Sequence, residues 1–211
     1  MAGPETMSHQ GPPPGRRAWS PLPLPALAAL FADAPFCWWI AGGHALELAT
    51  GRSWREHGDI DVLVLRRDTG AAREWLEAWD LWVADPPGAL RPWPAAEVLP
   101  APVHDIWCRR NTADDWRFQV MIDECDAAGW ISRRDARIAL PLEHYGATSP
   151  AGIPYLRPEV QLYSKAKAPR PKDEQDFGEV LPVLDSRARR WLAGAIATTF
   201  GATHPWLGRL A

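Results

Sequence analysis

The sequence has little of what marks secreted or membrane-spanning proteins. Three of its 211 residues are cysteine, Cys37, Cys108 and Cys125, and none forms a C-x-x-C pair. Such widely spaced cysteines are typical of reduced thiols rather than of a disulfide framework. No apolar run approaches the roughly 20 residues that span a bilayer, and the amino terminus lacks the pattern of a secretory signal. We therefore expect a cytoplasmic protein without a membrane partner.

The chain also lacks a strong charge of either sign. Its formal net charge is −3, which argues against a basic surface for nucleic acid. A hydrophobic content of 46% is enough for one core or two smaller ones. The 13 tryptophans and 22 prolines are abundant by comparison, and they predict aromatic core and pocket walls joined by many short loops.

The pattern of residues predicts an α+β fold, a mixed β-sheet with flanking helices followed by a C-terminal helical region. Residues 1–20 are rich in Pro and Gly and predict a disordered tail, with order beginning near Pro21. We expect a first domain over residues 21–150 and a helical region over residues 151–211. The helices predicted in the second part cover residues 159–168, 173–184 and 186–200.

Within the first domain, periodicity and turn residues predict alternating short elements. Helices are expected up to Phe31, over residues 44–50 and over residues 70–79. Strands are expected over residues 36–40 and 59–65, and a hairpin is expected from residues 103–109 and 116–123.

Two acidic residues at the start of a predicted strand are the main chemical signal. Asp59 and Asp61 are separated by one residue, so on a strand their side chains point to the same face. Neighbouring carboxylates repel each other unless a positive group lies between them. Mg²⁺ is the natural partner, because it binds one or two carboxylates together with substrate phosphates. The spacing therefore predicts a magnesium site at Asp59 and Asp61.

A diglycine sequence lies just before this pair, at the start of a predicted helix. Glycine allows the backbone to approach a phosphate closely, and a helix amino terminus offers free N–H groups. Gly42, Gly43 and the N–H of His44 are thus predicted to hold a triphosphate. Arg52, Arg55 and His57 lie in the following loop and are candidates to stabilise phosphate charge. Lys165, on a later predicted helix, is a further candidate for this role.

These residues together resemble a known family. The runs Gly42-Gly43-His44-Ala45-Leu46-Glu47, Gly51-Arg52, Arg55-x-His57 and Asp59-Ile60-Asp61 are similar to the aminoglycoside 2''-nucleotidyltransferases of the polymerase-β-like nucleotidyltransferase superfamily. The resemblance is dense over about 25 residues and thin beyond them. It implies the nucleotidyltransferase fold, use of MgATP, and transfer of AMP to a drug hydroxyl. His44 departs from the many superfamily members that have serine there.

The superfamily supplies a third carboxylate from a later strand, which completes the metal site or takes the proton of the acceptor. In residues 116–124 we expect Gln119, Met121 and Asp123 to share one face, with Glu124 on the other. Asp123 is the predicted third acid and metal ligand. Glu124 and the absence of any third acid, with Gln119 at that position, are the alternatives left open.

The leading hypothesis is therefore a Mg²⁺-dependent nucleotidyltransferase that moves AMP, or another nucleoside monophosphate, from a nucleoside triphosphate to an aminoglycoside-like acceptor. An acidic acceptor pocket is expected from Asp105, Asp114, Asp115 and Glu124. A nucleotidyltransferase that acts on tRNA or protein, as toxin-type members do, is the first alternative. A non-catalytic nucleotide-binding module is the second. The sequence does not predict the oligomeric state.

Overall fold

The computed structural model describes residues 18–211, so most of the predicted tail, residues 1–20, lies outside the described residues. Its last residues already belong to the fold. The amide of Ser20 donates to the carbonyl of Trp116 at 3.0 Å, and Trp19 forms a β-bridge with the same residue. Ordered structure therefore precedes Pro21, where we expected it to begin.

The described chain contains seven α-helices. They are α1 (Leu24–Phe31), α2 (Gly42–Thr50), α3 (Thr69–Trp75), α4 (Pro158–Lys165), α5 (Pro171–Val180), α6 (Ser186–Phe200) and α7 (Leu207–Leu210). Local signals explain several ends. A proline lies in the first turn of α1, α4 and α5, where its missing N–H has no intrahelical partner to lose. Gly51 ends α2 in the left-handed conformation.

Ten short strands accompany these helices. They are β1 (Trp38–Ile40), β2 (Asp61–Leu65), β3 (Asp80–Ala84), β4 (Leu90–Pro92), β5 (Asp105–Arg109), β6 (Phe118–Cys125), β7 (Trp130–Ile131), β8 (Ala139–Leu140), β9 (Gly146–Thr148) and β10 (Pro154–Leu156). The expected hairpin is present as the antiparallel pair β5 and β6. Strands β3, β4 and β7 to β10 were not predicted, because most of them are too short to show periodicity.

One mixed sheet joins these strands in the order β4-β3-β5-β6-β2-β1-β10-β9, with β7 and β8 attached beside β6. Strand β2 lies at the centre of the site region, antiparallel to β1 and parallel to β6. The predicted α+β class, a mixed sheet with flanking helices, is confirmed.

Alternate residues of the central strands face two separate cores. Val62 and Val64 pack with Leu27 and Phe31 of α1 on one face. Leu63 and Leu65 pack on the other face against α2 and the C-terminal helices. Asp61 shares the second face, because it precedes Leu63 by two residues. The acidic pair therefore lies where the C-terminal helices cover the sheet.

The C-terminal helices α4, α5 and α6 match the three predicted segments closely. Strand β10 extends the sheet beyond residue 150 and pairs in parallel with β1, so the predicted border falls before the last sheet strand. The division at residue 150 stays a prediction. Within residues 18–211, none of the helices is long and apolar enough to cross a membrane.

Candidate active site

The site begins where α2 leaves β1. The helix starts at Gly42 rather than at His44, so both glycines belong to its first turn. Gly42 has a φ of 68°, a left-handed conformation that glycine adopts at little cost. Its amide donates to Oε1 of the buried Gln161 at 2.8 Å, so this predicted phosphate contact is already occupied. The amides of Gly43 and His44 have no partner among residues 18–211.

The two acids of the predicted metal site open into one cavity with Gly42 and Gly43. Asp61 is the first residue of β2, whereas Asp59 precedes the strand and is exposed. Within residues 18–211 neither carboxylate accepts a hydrogen bond. Burial and then repulsion from Asp59 raise the pKa of Asp61 to about 7. A partly buried carboxylate that accepts no hydrogen bond, with a second carboxylate beside it, is a donor set that fits a hard divalent cation.

Gly42 and Asp61 are in close contact, which explains a second constraint on the glycine. A Cβ added to Gly42 would lie 2.5 Å from Oδ2 of Asp61. A Cβ on Gly43 would collide with the side chains of Arg55 and His57. Gly42 is therefore required for its left-handed backbone conformation and for the space that Asp61 occupies. Gly43 is required for the space that Arg55 and His57 occupy.

The predicted third acid is in the wrong place to be a metal ligand. In the parallel pairing of β2 and β6, Asp61 is opposite Gln119, while Asp123 is opposite Leu65. Four residues along a strand correspond to roughly 13 Å, whereas the ligands of one Mg²⁺ each lie about 2 Å from the ion. Asp123 therefore does not share a metal ion with Asp61, and its prediction as a metal ligand is wrong.

Asp123 does line the same cavity, at its far end. Its Oδ2 accepts hydrogen bonds from Trp130 Nε1 at 2.7 Å and from the Tyr145 hydroxyl at 2.8 Å. Burial raises the pKa of Asp123, while these two hydrogen bonds oppose the rise. The contacts describe an acid that is held by the wall of the cavity.

The other residues considered for an acid or an acceptor pocket are also arranged differently. Glu124 forms an ion pair with Arg66 at 2.7 Å. Asp105 accepts a hydrogen bond from Gln119 Nε2 at 2.7 Å, and Asp114 accepts one from Asn111 in an exposed turn. None of the four residues predicted to form the acidic acceptor pocket lines the cavity, so that expectation is wrong.

The loop residues of the motif bind one another rather than face the cavity as free cations. Arg55 donates to both oxygens of Asp176, at 2.8 Å and 2.9 Å. Its Nη1 lies 3.1 Å from Nδ1 of His57. Because a guanidinium only donates, that Nδ1 accepts and the proton of His57 resides on Nε2. The Nε2 atom lies 3.0 Å from Glu47. Arg55 lines the cavity, but its main partner is a carboxylate of the protein.

Two predicted phosphate contacts, those of Arg52 and His57, change accordingly, and the side chain of His44 adds no charge. Arg52 pairs with Glu179 at the surface, at 2.6 Å, and neither it nor His57 lines the cavity. The ring of His44 stacks on His57 with centroids 4.1 Å apart. Burial and then His57 lower the pKa of His44 to about 4, so its side chain is neutral at pH 7. These side chains hold the loop of the motif, and they do not supply positive charge to a phosphate.

Lys165 lines the cavity as predicted, but it is paired. Its Nζ lies 2.9 Å from Asp173 and 3.0 Å from Asp176, and both carboxylates are buried. Asp173 also binds Arg170 and the amide that precedes α5. Charged hydrogen bonds outweigh the effect of burial and lower the pKa of Asp176. The network joins α4, α5 and the loop of the motif beneath the cavity.

Four basic side chains without an acidic partner line the cavity. They are Arg133, Arg134, Lys167 and Lys172, and none forms an ion pair with a residue of the described chain. Lys167 follows α4, Lys172 lies at the start of α5, and the arginines follow β7. Lys167 and Lys172 belong to the carboxy-terminal segment that also resembles related enzymes, whereas nothing in the sequence pointed to Arg133 and Arg134.

Comparisons with known proteins agree with this geometry. The model of the family described as aminoglycoside-2''-adenylyltransferase matches residues 24–81, a range that includes the diglycine and the acidic pair. Over residues 24–81 the chain is therefore similar to the aminoglycoside nucleotidyltransferases. The resemblance stated from the motif is thereby confirmed, and with it the class of enzyme, a nucleotidyltransferase. No curated protein matches the sequence.

Solved structures show that other proteins share this fold. The lincosamide antibiotic adenylyltransferase LnuA, solved with lincomycin, has a TM-score of 0.52 and 16% identity, covering 76% of this chain and 96% of its own. ANT(2'')-Ia, solved with adenylyl-2''-tobramycin, has a TM-score of 0.51 and 14% identity, covering 81% and 92%. Its solution structure has a TM-score of 0.53 and 14% identity, covering 82% and 89%.

Proposed function

We propose that this nucleotidyltransferase binds a nucleoside triphosphate with Mg²⁺ and transfers the nucleoside monophosphate to a hydroxyl of a small acceptor. The observation that carries the proposal is the distribution of uncompensated charge in one cavity of about 420 Å³. Among residues 18–211, Asp59 and Asp61 form no ion pair, and the four basic side chains that line the same cavity form none either. A magnesium nucleotide supplies both missing charges at once.

The residues divide the work as follows. Asp59 and Asp61 are the metal ligands, and the free amides of Gly43 and His44 face the phosphates from the start of α2. Lys167, Lys172, Arg133 and Arg134 attract the polyphosphate. A bound magnesium ion would neutralise the carboxylates and stabilise negative charge on the phosphate that is transferred. The acceptor oxygen forms a bond to the α-phosphorus, the bond to the β-phosphate oxygen breaks, pyrophosphate leaves, and the hydroxyl proton passes to solvent.

The charged residues that line the cavity also bear on which acceptor the enzyme uses. Aminoglycosides and lincosamides are the acceptors named for the solved structures of this fold. The acids expected to bind a polycation are absent from the cavity, whereas Arg133 and Arg134 line it. Like charges placed together disfavour binding. A hydroxylated antibiotic with few positive charges, such as a lincosamide, therefore fits this cavity better than a polycationic aminoglycoside.

The test combines binding with turnover. The purified protein is titrated with ATP in the presence of Mg²⁺ and in the presence of a chelator, and the same titration is made with Asp61→Asn. We expect tight binding only with Mg²⁺ and only with Asp61 present. Radiolabelled ATP with a panel of lincosamides and aminoglycosides then reports transfer. Metal-independent ATP binding that survives in the variant would contradict the metal site, and pyrophosphate release with aminoglycosides alone would contradict the argument from charge.

A further inference from the structure

Strand β6 brings a neutral amide, and not an acid, beside the proposed metal ligands. Gln119 is the residue of β6 that pairs with Asp61 of β2, and neighbouring strands lie about 4.8 Å apart. Paired residues of adjacent strands project to the same face of the sheet. Both side chains line the cavity together with Asp59. The position nearest to the acidic pair on the next strand is therefore occupied by glutamine.

The orientation of this amide is fixed by one contact. Nε2 of Gln119 donates to Oδ1 of Asp105 at 2.7 Å, a short distance for a hydrogen bond to a charged acceptor. A carboxylate accepts and the amide oxygen cannot donate, so the nitrogen must face Asp105. The amide oxygen then faces away from Asp105. It accepts no hydrogen bond from any residue within the described range.

Asp105 itself lies behind Gln119 and outside the cavity. It belongs to β5, where it pairs with Met121, one diagonal step from Gln119. The residue is half-buried. A carboxylate that accepts from the N–H of an amide draws charge toward the amide oxygen, as the partners of metal ligands do.

We propose that Gln119 Oε1 is the third oxygen ligand of the cation held by Asp59 and Asp61, and that Asp105 is the positioning residue that turns it toward them. The inference rests on the proposed function, since it concerns the same metal. Amide oxygens are established ligands of hard cations. A ligand set with two carboxylates and one neutral oxygen carries one negative charge fewer than a set of three acids. Binding of the cation therefore depends more strongly on the phosphates of the nucleotide.

The experiment measures binding of Mn²⁺, used as a paramagnetic probe, to the full chain, with and without a non-hydrolysable ATP analogue. We expect Gln119→Leu and Asp105→Ala each to weaken Mn²⁺ binding about tenfold or more. Asp105→Asn keeps an oxygen that can accept from Gln119, so binding should stay within about twofold of the parent chain. Matched controls are Gln175→Leu and Asp114→Ala, whose exposed or turn side chains lie outside the cavity.

Each pattern of results has one meaning. Parent-like Mn²⁺ binding in Gln119→Leu overturns the assignment of the ligand. Equal loss in Asp105→Asn and Asp105→Ala overturns the positioning role, because charge alone would then matter. Thermal unfolding of every variant separates a folding defect from a binding defect. Asp61→Asn distinguishes the two proposals: if it loses Mn²⁺ while Gln119→Leu does not, the metal site stands and only this inference fails.

Discussion

Replacing Asp61 by asparagine should stabilise the metal-free protein at pH 8, although the same change should abolish binding of the magnesium nucleotide. The carboxylate is partly buried, accepts no hydrogen bond from the described chain and lies near Asp59. Its pKa is raised from 3.8 to about 7. A group whose pKa is raised on folding makes the folded state less stable once the pH exceeds its value in the unfolded chain. Asparagine removes that charge at nearly constant volume.

The magnitude follows from the shift. About three pKa units, at about 1.4 kcal/mol per unit, correspond to as much as about 4 kcal/mol at pH 8. The cost shrinks to less than half of this at pH 5, because Asp61 is then protonated in the folded protein. For a chain of this size, 1 kcal/mol shifts Tm by roughly 2–4 °C. We therefore expect Asp61→Asn to raise Tm by up to roughly 16 °C at pH 8 in a chelator, and by much less at pH 5.

The assay is thermal unfolding of the parent chain and the variant between pH 5 and pH 8, in a chelator and again with Mg²⁺ and ATP. The ligands should stabilise the parent chain through binding to the folded state and should leave the variant unchanged. Asp59→Asn is the matched control, and its smaller gain reports the repulsion between the two carboxylates. A variant that is less stable than the parent chain at pH 8 without metal, with an unchanged pH dependence, would refute the reasoning.

Three further changes test the surroundings of the pair. Gly42→Ala places a Cβ against the Asp61 carboxylate and should abolish nucleotide binding in a titration, whereas Gly51→Ala, with the same sign of φ and open space around it, should only lose about 1 kcal/mol of stability. Asp176→Asn leaves the Arg55 guanidinium without its carboxylate partner and Lys165 with Asp173 alone, and it should lower the unfolding free energy by about 3–5 kcal/mol in denaturant titrations. Tyr145→Phe removes a donor to the wall acid and should cost about 1–3 kcal/mol, without a change in Mn²⁺ affinity.

Each of these predictions has a result that contradicts it. Equal nucleotide binding in the two glycine variants would show that a Cβ at position 42 does not disturb the Asp61 carboxylate. A loss with Asp176→Asn no larger than that with the surface variant Glu179→Gln would show that the network under the cavity is weak. A lower Mn²⁺ affinity in Tyr145→Phe would show that Asp123 contributes to metal binding.

The sequence predicted the parts of the site that are encoded locally. Gly42 and Gly43 could be recognised because a turn from a strand into a helix has few solutions, and Asp59 and Asp61 because their spacing matches a strand. The fold class followed from the same pattern with the resemblance. The segments of α4, α5 and α6 were also visible, since each has helical periodicity over two or more turns.

The parts that were predicted wrongly depend on pairing between distant segments. Gln119, Met121 and Asp123 all share one face of β6, so periodicity alone could not decide which of them lies beside Asp61. That choice is the register of β6 against β2, and a shift of two residues leaves the face unchanged. Lys165 was a candidate to bind phosphate, because nothing local showed that Asp173 and Asp176 would be buried against it.

The motif contains more residues than the binding of metal and phosphate requires, because some of them hold its loop in place. Arg55 and His57 do not bring charge to the cavity; they hold the loop that leads into Asp59, through Glu47 on α2 and Asp176 on α5. Paired charges of this kind set the shape of a site, while unpaired charges mark what it binds. Among the described residues, the groups of this cavity without an ionic partner are two carboxylates and four cations. A ligand that carries both a divalent cation and a polyanion satisfies the two sets at once, as a magnesium nucleotide does.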